Sequence, residues 1–278
     1  MKEIIVPQEV QSADVIFASH SGGKDSQAML ASLKRLGLLH KVVLVHADLG
    51  GMEWEPMHHW IQENSFGLPV HVVKQDYDFF QMVESWGYFP RSNAQFCTKE
   101  LKTLPITKFI HDWMYKHDYK TAVNVTGMRG EESPRRDRKP AFGLSKGEDS
   151  SQMHQPRNHK THTIFDWLPL KEYLIDDVMK EIENAGQSIH KVYGLGFSRL
   201  SCVFCINGQL NEHKLASMLR PELAQKMIEL EIKVGKTVRI KTVKGQKVRH
   251  FMRDYLFSKM TFRKGQRVLN VPEAGCGI

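Results

Sequence analysis

Cysteine is scarce in this sequence, with four in 278 residues. That is too few for the disulfide scaffold on which small oxidised domains depend. Long apolar runs are missing as well. No stretch approaches the ~20 residues that a membrane-spanning helix needs, so no membrane role is expected. The opening MKEIIVPQEVQSADV lacks a basic start followed by a long apolar core, which predicts a cytoplasmic rather than a secreted protein. Internal repeats are absent. Acidic residues thin out in one place. Between Lys233 and Arg267, twelve Lys or Arg meet a single acid, Asp254, a local balance of +11. The remainder carries 27 basic and 30 acidic residues, so the net charge of +8 belongs to that one segment. Such a segment either attracts polyanions through counterion release or is a solvated basic face.

What is present reads as an ordinary folded chain. Hydrophobic residues make up 41% and charged residues 25%, which suits one large domain with a smaller appendage. Short apolar runs at DVIFAS (14–19), KVVLVHAD (41–48), PVHVVKQ (69–75) and TAVNVTG (121–127) predict buried strands. Helical spacing predicts helices over Ser26–Leu38, EWEPMHHWIQENSFG, TKELKTLPITKFIHDWMYKH with a break near Pro105, LKEYLIDDVMKEIENAG and PELAQKMIELEIKVG. Strands alternating with helices predict an α/β fold, a doubly wound parallel sheet covered on both faces. Residues 131–163 read as a long polar loop, with His154, His159 and His162 as solvated loop residues.

The motif SGGKDS (21–26) follows the first predicted strand and opens a helix. Backbone N–H groups of a glycine turn at a helix N-terminus make an anion site. Lys24 adds a mobile positive charge. The spacing is not that of the Walker A loop, G-x-x-x-x-G-K-[ST]. Asp25 inside a phosphate cradle works against the anion unless a cation intervenes, and so points to Mg²⁺.

SGGKDS resembles the S-G-G-x-D-S signature of the PP-loop, or N-type, ATP pyrophosphatases, of adenine nucleotide alpha hydrolase-like fold. Further elements resemble its phosphoadenosine phosphosulfate reductase-like branch, in that family's order: VHADLGGMEWEPMHHWI, CTKELKTLP, TGMRGEESPRR, and YGLGFSRLSCVFC with its C-x-x-C pair. The match covers about residues 14–206. It predicts a domain over 1–206 and a helical and basic extension over 207–278. Two features depart from the sulfonucleotide reductases. The tail EAGCGI holds Cys276 without a glutamate directly before it or a histidine after it, and Phe96-Cys97 stands where iron–sulfur reductases carry paired cysteines. The layout is closer to sulfur-inserting relatives, the DndC- and SspD-type proteins of DNA phosphorothioation and the iron–sulfur tRNA thiolases.

The resemblance implies ATP over Ser19, Ser21, Gly22, Gly23, Lys24, Asp25 and Ser26, with Ala47, Asp48, Gly127 and Arg129 completing the site. Gly22 and Gly23 amides would hold the pyrophosphate moiety, and Lys24, Asp25, Arg129 and Arg136 would be catalytic. Surface ion pairing is the plain alternative for the arginines, and capping of the next turn for Asp48. Cys97, Cys202 and Cys205, with Cys276 as an additional donor, would hold an iron–sulfur cluster or, alternatively, zinc. Lys241, Lys244, Lys247 and Arg249 would form one charged face of a strand pair against nucleic acid, DNA by preference. A cysteine desulfurase or other sulfur donor is the expected partner, and homo-oligomers fit the reading. The leading expectation is an ATP pyrophosphatase that adenylates an acceptor for sulfur insertion. An adenylyl sulfate reductase and a nucleotide-binding regulatory or defence subunit are the alternatives.

Overall fold

A computed structural model describes residues 2–54, 56–145, 162–200, 202–243 and 245–256. His154, His159, Lys244 and Cys276 lie outside the described residues. Two compact units divide the chain. The first comprises Met1–Ala47, Met57–Val73 and Leu104–His190; the second comprises Asp48–Pro56, Lys74–Thr103 and Lys191–Ile278.

The first unit is built on six strands: β1 (Val15–Ser19), β2 (Val42–Ala47), β3 (Val70–Val73), β4 (Thr121–Val125), β5 (Phe142–Leu144) and β6 (Thr163–Trp167). Their order is β3-β2-β1-β4-β6-β5. Every pairing is parallel except the antiparallel edge pair β5–β6. The four expected strands are present; β1, β2 and β4 are central, whereas β3 is an edge strand and is only partly buried, with Val72 exposed, because it has a neighbour on one side alone. On one face of the sheet, Val15, Phe17 and Val45 pack with Ile110 and Met114 of the helix Leu104–Lys116. Each such side chain contributes about 1.5–3 kcal/mol on burial. Ile16 and Ala18, which point the other way, are also fully buried. Both faces are therefore covered, which is why β1 is a continuous apolar run rather than an alternating one. The helices Lys24–Arg35 and Ile175–Asn184 are joined by Arg35, whose Nε donates to Glu181 Oε1 at 2.8 Å.

Three local readings are corrected. The supposed loop 131–163 contains the helix Pro134–Asp137, the strand β5 and the first residue of β6. β5 has three residues and β6 carries Asp166 among its apolar residues, so sheet pairing rather than an apolar run fixes them. His162 is not a solvated loop residue: its Nε2 lies 2.7 Å from His111 Nδ1. Pro105 does not break its helix. It lies in the first turn of Leu104–Lys116, directly after the wide turn Lys99–Thr103, where the i→i−4 ladder is already interrupted.

The second unit contains the helices Phe79–Trp86, Leu210–Leu219 and Pro221–Val234, then a hairpin of β7 (Arg239–Val243) and β8 (Gln246–His250). Its turn carries Gly245 at φ +79°, a conformation that suits glycine. Glu231 clamps both ends of the hairpin, accepting from Val238 N at 2.8 Å and Met252 N at 2.6 Å.

Candidate functional site

β1 lies at the centre of the sheet, and the chain turns from one side of it to the other between β3 and β4. Ligands bind in open α/β sheets beyond the strand C-termini at such a switch point. The loops after β1 and β4 both end there.

The loop after β1 is fixed by its own side chains. Gly22 takes φ +77° and donates its N–H to His20 Nδ1 at 3.0 Å. Its carbonyl accepts from Trp60 Nε1 at 3.3 Å. Ser26 Oγ donates to Gly23 O at 2.8 Å and accepts from Ser21 N at 3.2 Å. Gly23 is the N-cap of the helix Lys24–Arg35, whose first turn presents N–H groups without intrahelical acceptors. The Gly22 amide, expected to face phosphate, is thus turned to His20, and the helix-terminal amides without intrahelical acceptors begin at Gly23. Ser19 ends β1 and pairs with Val45.

His20 is buried and neutral. Burial and the neighbouring His46 hold its pKa down at about 3. His46 Nδ1 in turn contacts His20 O at 2.9 Å.

From the loop after β4, Arg129 reaches back. Its Nε donates to Asp25 Oδ1 at 2.6 Å, and its Nη1 pairs with Glu131. Burial works against the Arg129 charge, but Asp25, Glu131 and Glu132 outweigh it and raise the pKa above the ordinary guanidinium value. Lys24 Nζ lies 3.4 Å from Asp25 Oδ2. Gly127 permits this closeness: a Cβ there would stand 2.6 Å from the Asp25 carbonyl carbon and 2.9 Å from Ser26 N. Arg136 pairs with Glu132 four residues back. Asp48 Oδ1 accepts from Gly50 N at 2.7 Å and so caps a turn, while Ala47 ends β2 in register with Val73.

Three cations, Lys24, Arg129 and Arg136, thus share a network with three carboxylates, Asp25, Glu131 and Glu132. A triphosphate arriving alone would have to compete with these carboxylates for the cations. These hard oxygen donors fit Mg²⁺ carried on nucleotide phosphates, which asks the protein for only one or two carboxylates. Among the described residues, no group of three or more His, Cys, Asp or Glu side chains is arranged to hold a metal by itself.

Cys97, Cys202 and Cys205 all belong to the second unit and are half-buried. Their turn is tied down locally: Val203 N donates to Met52 O at 2.9 Å, and Cys205 N to Cys202 O at 3.1 Å. His213 Nε2 contacts Cys205 O at 2.8 Å. Burial, reinforced by Cys205, pushes the Cys97 thiol pKa up. Burial pushes Cys202 up as well, against the pull of Lys102. For Lys102, burial opposes the charge, but Cys202, Cys205, Cys97 and Glu53 outweigh it. One lysine therefore sits in the shared field of three thiols and a carboxylate. The donor chemistry fits a soft metal whose thiolate charge Lys102 offsets, although the sulfurs do not form a ready-made cage. Lys102 and Glu53 were missed in the sequence. Lys102 is the second lysine of CTKELK, but nothing local marks it as a partner of Cys202 and Cys205, about a hundred positions away.

The hairpin corrects the expectation of one charged face. Lys241 pairs with Val248, whereas Thr242 pairs with Lys247 and Ile240 with Arg249. Because directly paired residues share a face, Lys247 and Arg249 lie on one side and Lys241 lies on the other with Arg239. Arg249 Nη1 also donates to Gly235 O at 2.7 Å.

No curated protein matches the chain. Among solved structures, the phosphoadenylyl-sulfate (PAPS) reductase from Candida auris, in a phosphate complex, is similar at 14% identity and a TM-score of 0.47, over 71% of this chain and 88% of that one. The Candida glabrata FMN adenylyltransferase in complex with FAD and inorganic pyrophosphate is similar at 16% identity and a TM-score of 0.45, over 69% of this chain. The match spans only 56% of the adenylyltransferase. The model of the phosphoadenosine phosphosulfate reductase domain matches residues 15–207, from the first residue of β1 to just beyond Cys205, and with well over half of its length so matched the chain belongs to that family.

Proposed function

We propose that this chain is an ATP pyrophosphatase that adenylates an acceptor for sulfur insertion. The observation that carries the reading is the SGGKDS loop at the β1/β4 switch point, with Arg129 held on Asp25 at 2.6 Å. ATP with Mg²⁺ would lie over Ser21–Ser26. An acceptor oxygen would attack the α-phosphorus, and the bond to the bridging oxygen would break with pyrophosphate leaving. Mg²⁺, when bound, neutralises charge on the phosphates. The protein supplies positioning and charge stabilisation. Amides from Gly23 onward hold phosphate oxygens, Lys24 meets charge growing on the leaving group, and Arg129 is kept close by its carboxylates. Nucleic acid is the favoured acceptor class because of the basic segment, and a cysteine desulfurase the favoured sulfur source. Cys97, Cys202 and Cys205 are the residues that would hold an iron–sulfur cluster or zinc.

The family match favours a second reading, reduction of an adenylyl sulfate. Product chromatography separates the two. AMP and pyrophosphate from ATP support the first, and Asp25→Ala should abolish them while leaving the fold intact. ADP as the main product would refute it. Sulfite release from a sulfonucleotide would select the second.

A further inference from the structure

The second unit carries an exposed aromatic corner that neither reading uses. Trp86, the last residue of the helix Phe79–Trp86, stacks on Phe96 with ring centroids 4.3 Å apart and planes 4° from parallel. Tyr88 stands edge-on to both, at 75° to Trp86 and 76° to Phe96. The corner thus has as its floor the outer face of a two-ring stack, with one upright wall. It is open: Trp86 is 44% exposed and Tyr88 43% exposed. Large aromatics left in water at one spot ordinarily mark a binding surface.

The surroundings are basic. Arg91 follows Tyr88 by three residues and donates from Nη1 to Val238 O, 3.2 Å away, at the foot of β7. Lys233, from the helix preceding the hairpin, pairs with Glu84 two residues before Trp86 at 2.8 Å. The aromatic segment is thereby tied at two points to the element with the chain's excess positive charge, Lys241, Lys247 and Arg249 among it. Glu84, the one acid of the helix Phe79–Trp86, is the partner of Lys233. Planar rings beside lysines and arginines form the combination that recognises unpaired nucleotides: bases stack, phosphates pair with cations.

We propose that Trp86, Phe96 and Tyr88 form a platform for one unpaired nucleobase of a single-stranded nucleic acid whose backbone follows the basic hairpin. This rests on the nucleic-acid reading above and narrows it from polyanion in general to a strand with an accessible base face. A base-paired duplex has its ring faces already stacked and offers the corner nothing unless a nucleotide is turned out. Phe96 directly precedes Cys97, so a base on this floor is one residue from the first thiol.

The test uses the full chain and two fluorescein-labelled probes at low salt: a 20-nucleotide single strand of thymidylate and a blunt duplex of equal length. The expected result is tighter binding of the single strand. Trp86→Ala should weaken it roughly 5- to 150-fold, the range for loss of one stacked base, without changing the slope of log affinity against log salt. Trp86→Phe should recover most of the loss. Two outcomes overturn the platform while leaving the nucleic-acid reading standing: equal affinity of parent and Trp86→Ala for the single strand, or a loss that Phe does not rescue and that is accompanied by a shallower salt slope. Failure of the parent to bind either probe overturns both. A concentration-dependent dimer that Trp86→Ala dissolves, with single-strand affinity intact, would assign the corner to self-association instead.

Discussion

His20 illustrates how much a single side chain contributes to the phosphate loop. Its Nδ1 takes the buried Gly22 N–H, and its ring stays neutral. His20→Ala would leave that N–H without an acceptor, at a cost of about 1–3 kcal/mol. His20→Asn places an oxygen near the Nδ1 position, so ATP cleavage should be better preserved by Asn than by Ala. The pH dependence has a definite sign. The folded pKa of about 3 lies below the ordinary 6.5, so on acidification the unfolded chain binds the proton first. The parent's stability from this group is full above about pH 6.5 and declines from there toward pH 3. His20→Asn removes that decline, so the melting-temperature gap between parent and variant should narrow as pH falls from 7 to 4. A gap that does not change with pH would show that His20 is not the group that titrates. The loop motif itself was legible because its residues are contiguous. His20 was not, since a histidine in a strand end looks the same whether it bonds a loop amide or merely fills space.

Among the elements, β1, β2 and β4 could be read from the sequence because buried central strands are plain apolar runs, and β3 because its valines favour a strand even at the sheet edge. β5 and most of β6 could not: β5 has only three residues, and the apolar residues of β6, TIFDW, are interrupted by Asp166. The β7–β8 hairpin was legible from alternation and Gly245, but its register was not, and register decides which charges share a face. Lys247 and Arg249 stand together, with Lys241 behind them. Lys247→Ala with Arg249→Ala should therefore reduce nucleic-acid affinity more than Lys241→Ala with Arg239→Ala, which removes the same charge. The first pair should also flatten the salt dependence by about 0.9 in log–log slope for each phosphate no longer neutralised. Equal effects from the two pairs would indicate a diffuse field in place of a docking face. ATP cleavage measured without nucleic acid should be unchanged in both.

At the scale of the whole molecule, the thiol cluster gathers residues from two distant segments, Phe96–Lys102 and Cys202–Cys205, around one cation. Prepared without oxygen, the protein is expected to absorb near ~400 nm if the cluster is iron–sulfur, and to carry zinc without colour if the site is structural. Cys97→Ser should lower the metal content in either case. Protein that contains neither metal, and whose thiols all react with a disulfide reagent, would remove the metal from the proposal.

The two units alternate along the chain, which passes between them five times. For the second unit this has a consequence during synthesis. Its segments Asp48–Pro56 and Lys74–Thr103 leave the ribosome early, but the helices and hairpin that bury them begin only at Lys191. At about 5–20 residues per second, Phe79, Met82, Val83 and Phe89, all buried in the finished fold, wait on the order of ten seconds for their partners. Pairings of such high sequence separation form slowly even in the complete chain. The nascent protein thus has an interval of exposed apolar surface built into its topology, and its yield in a cell should be sensitive to chaperone supply and to translation speed downstream of Thr103.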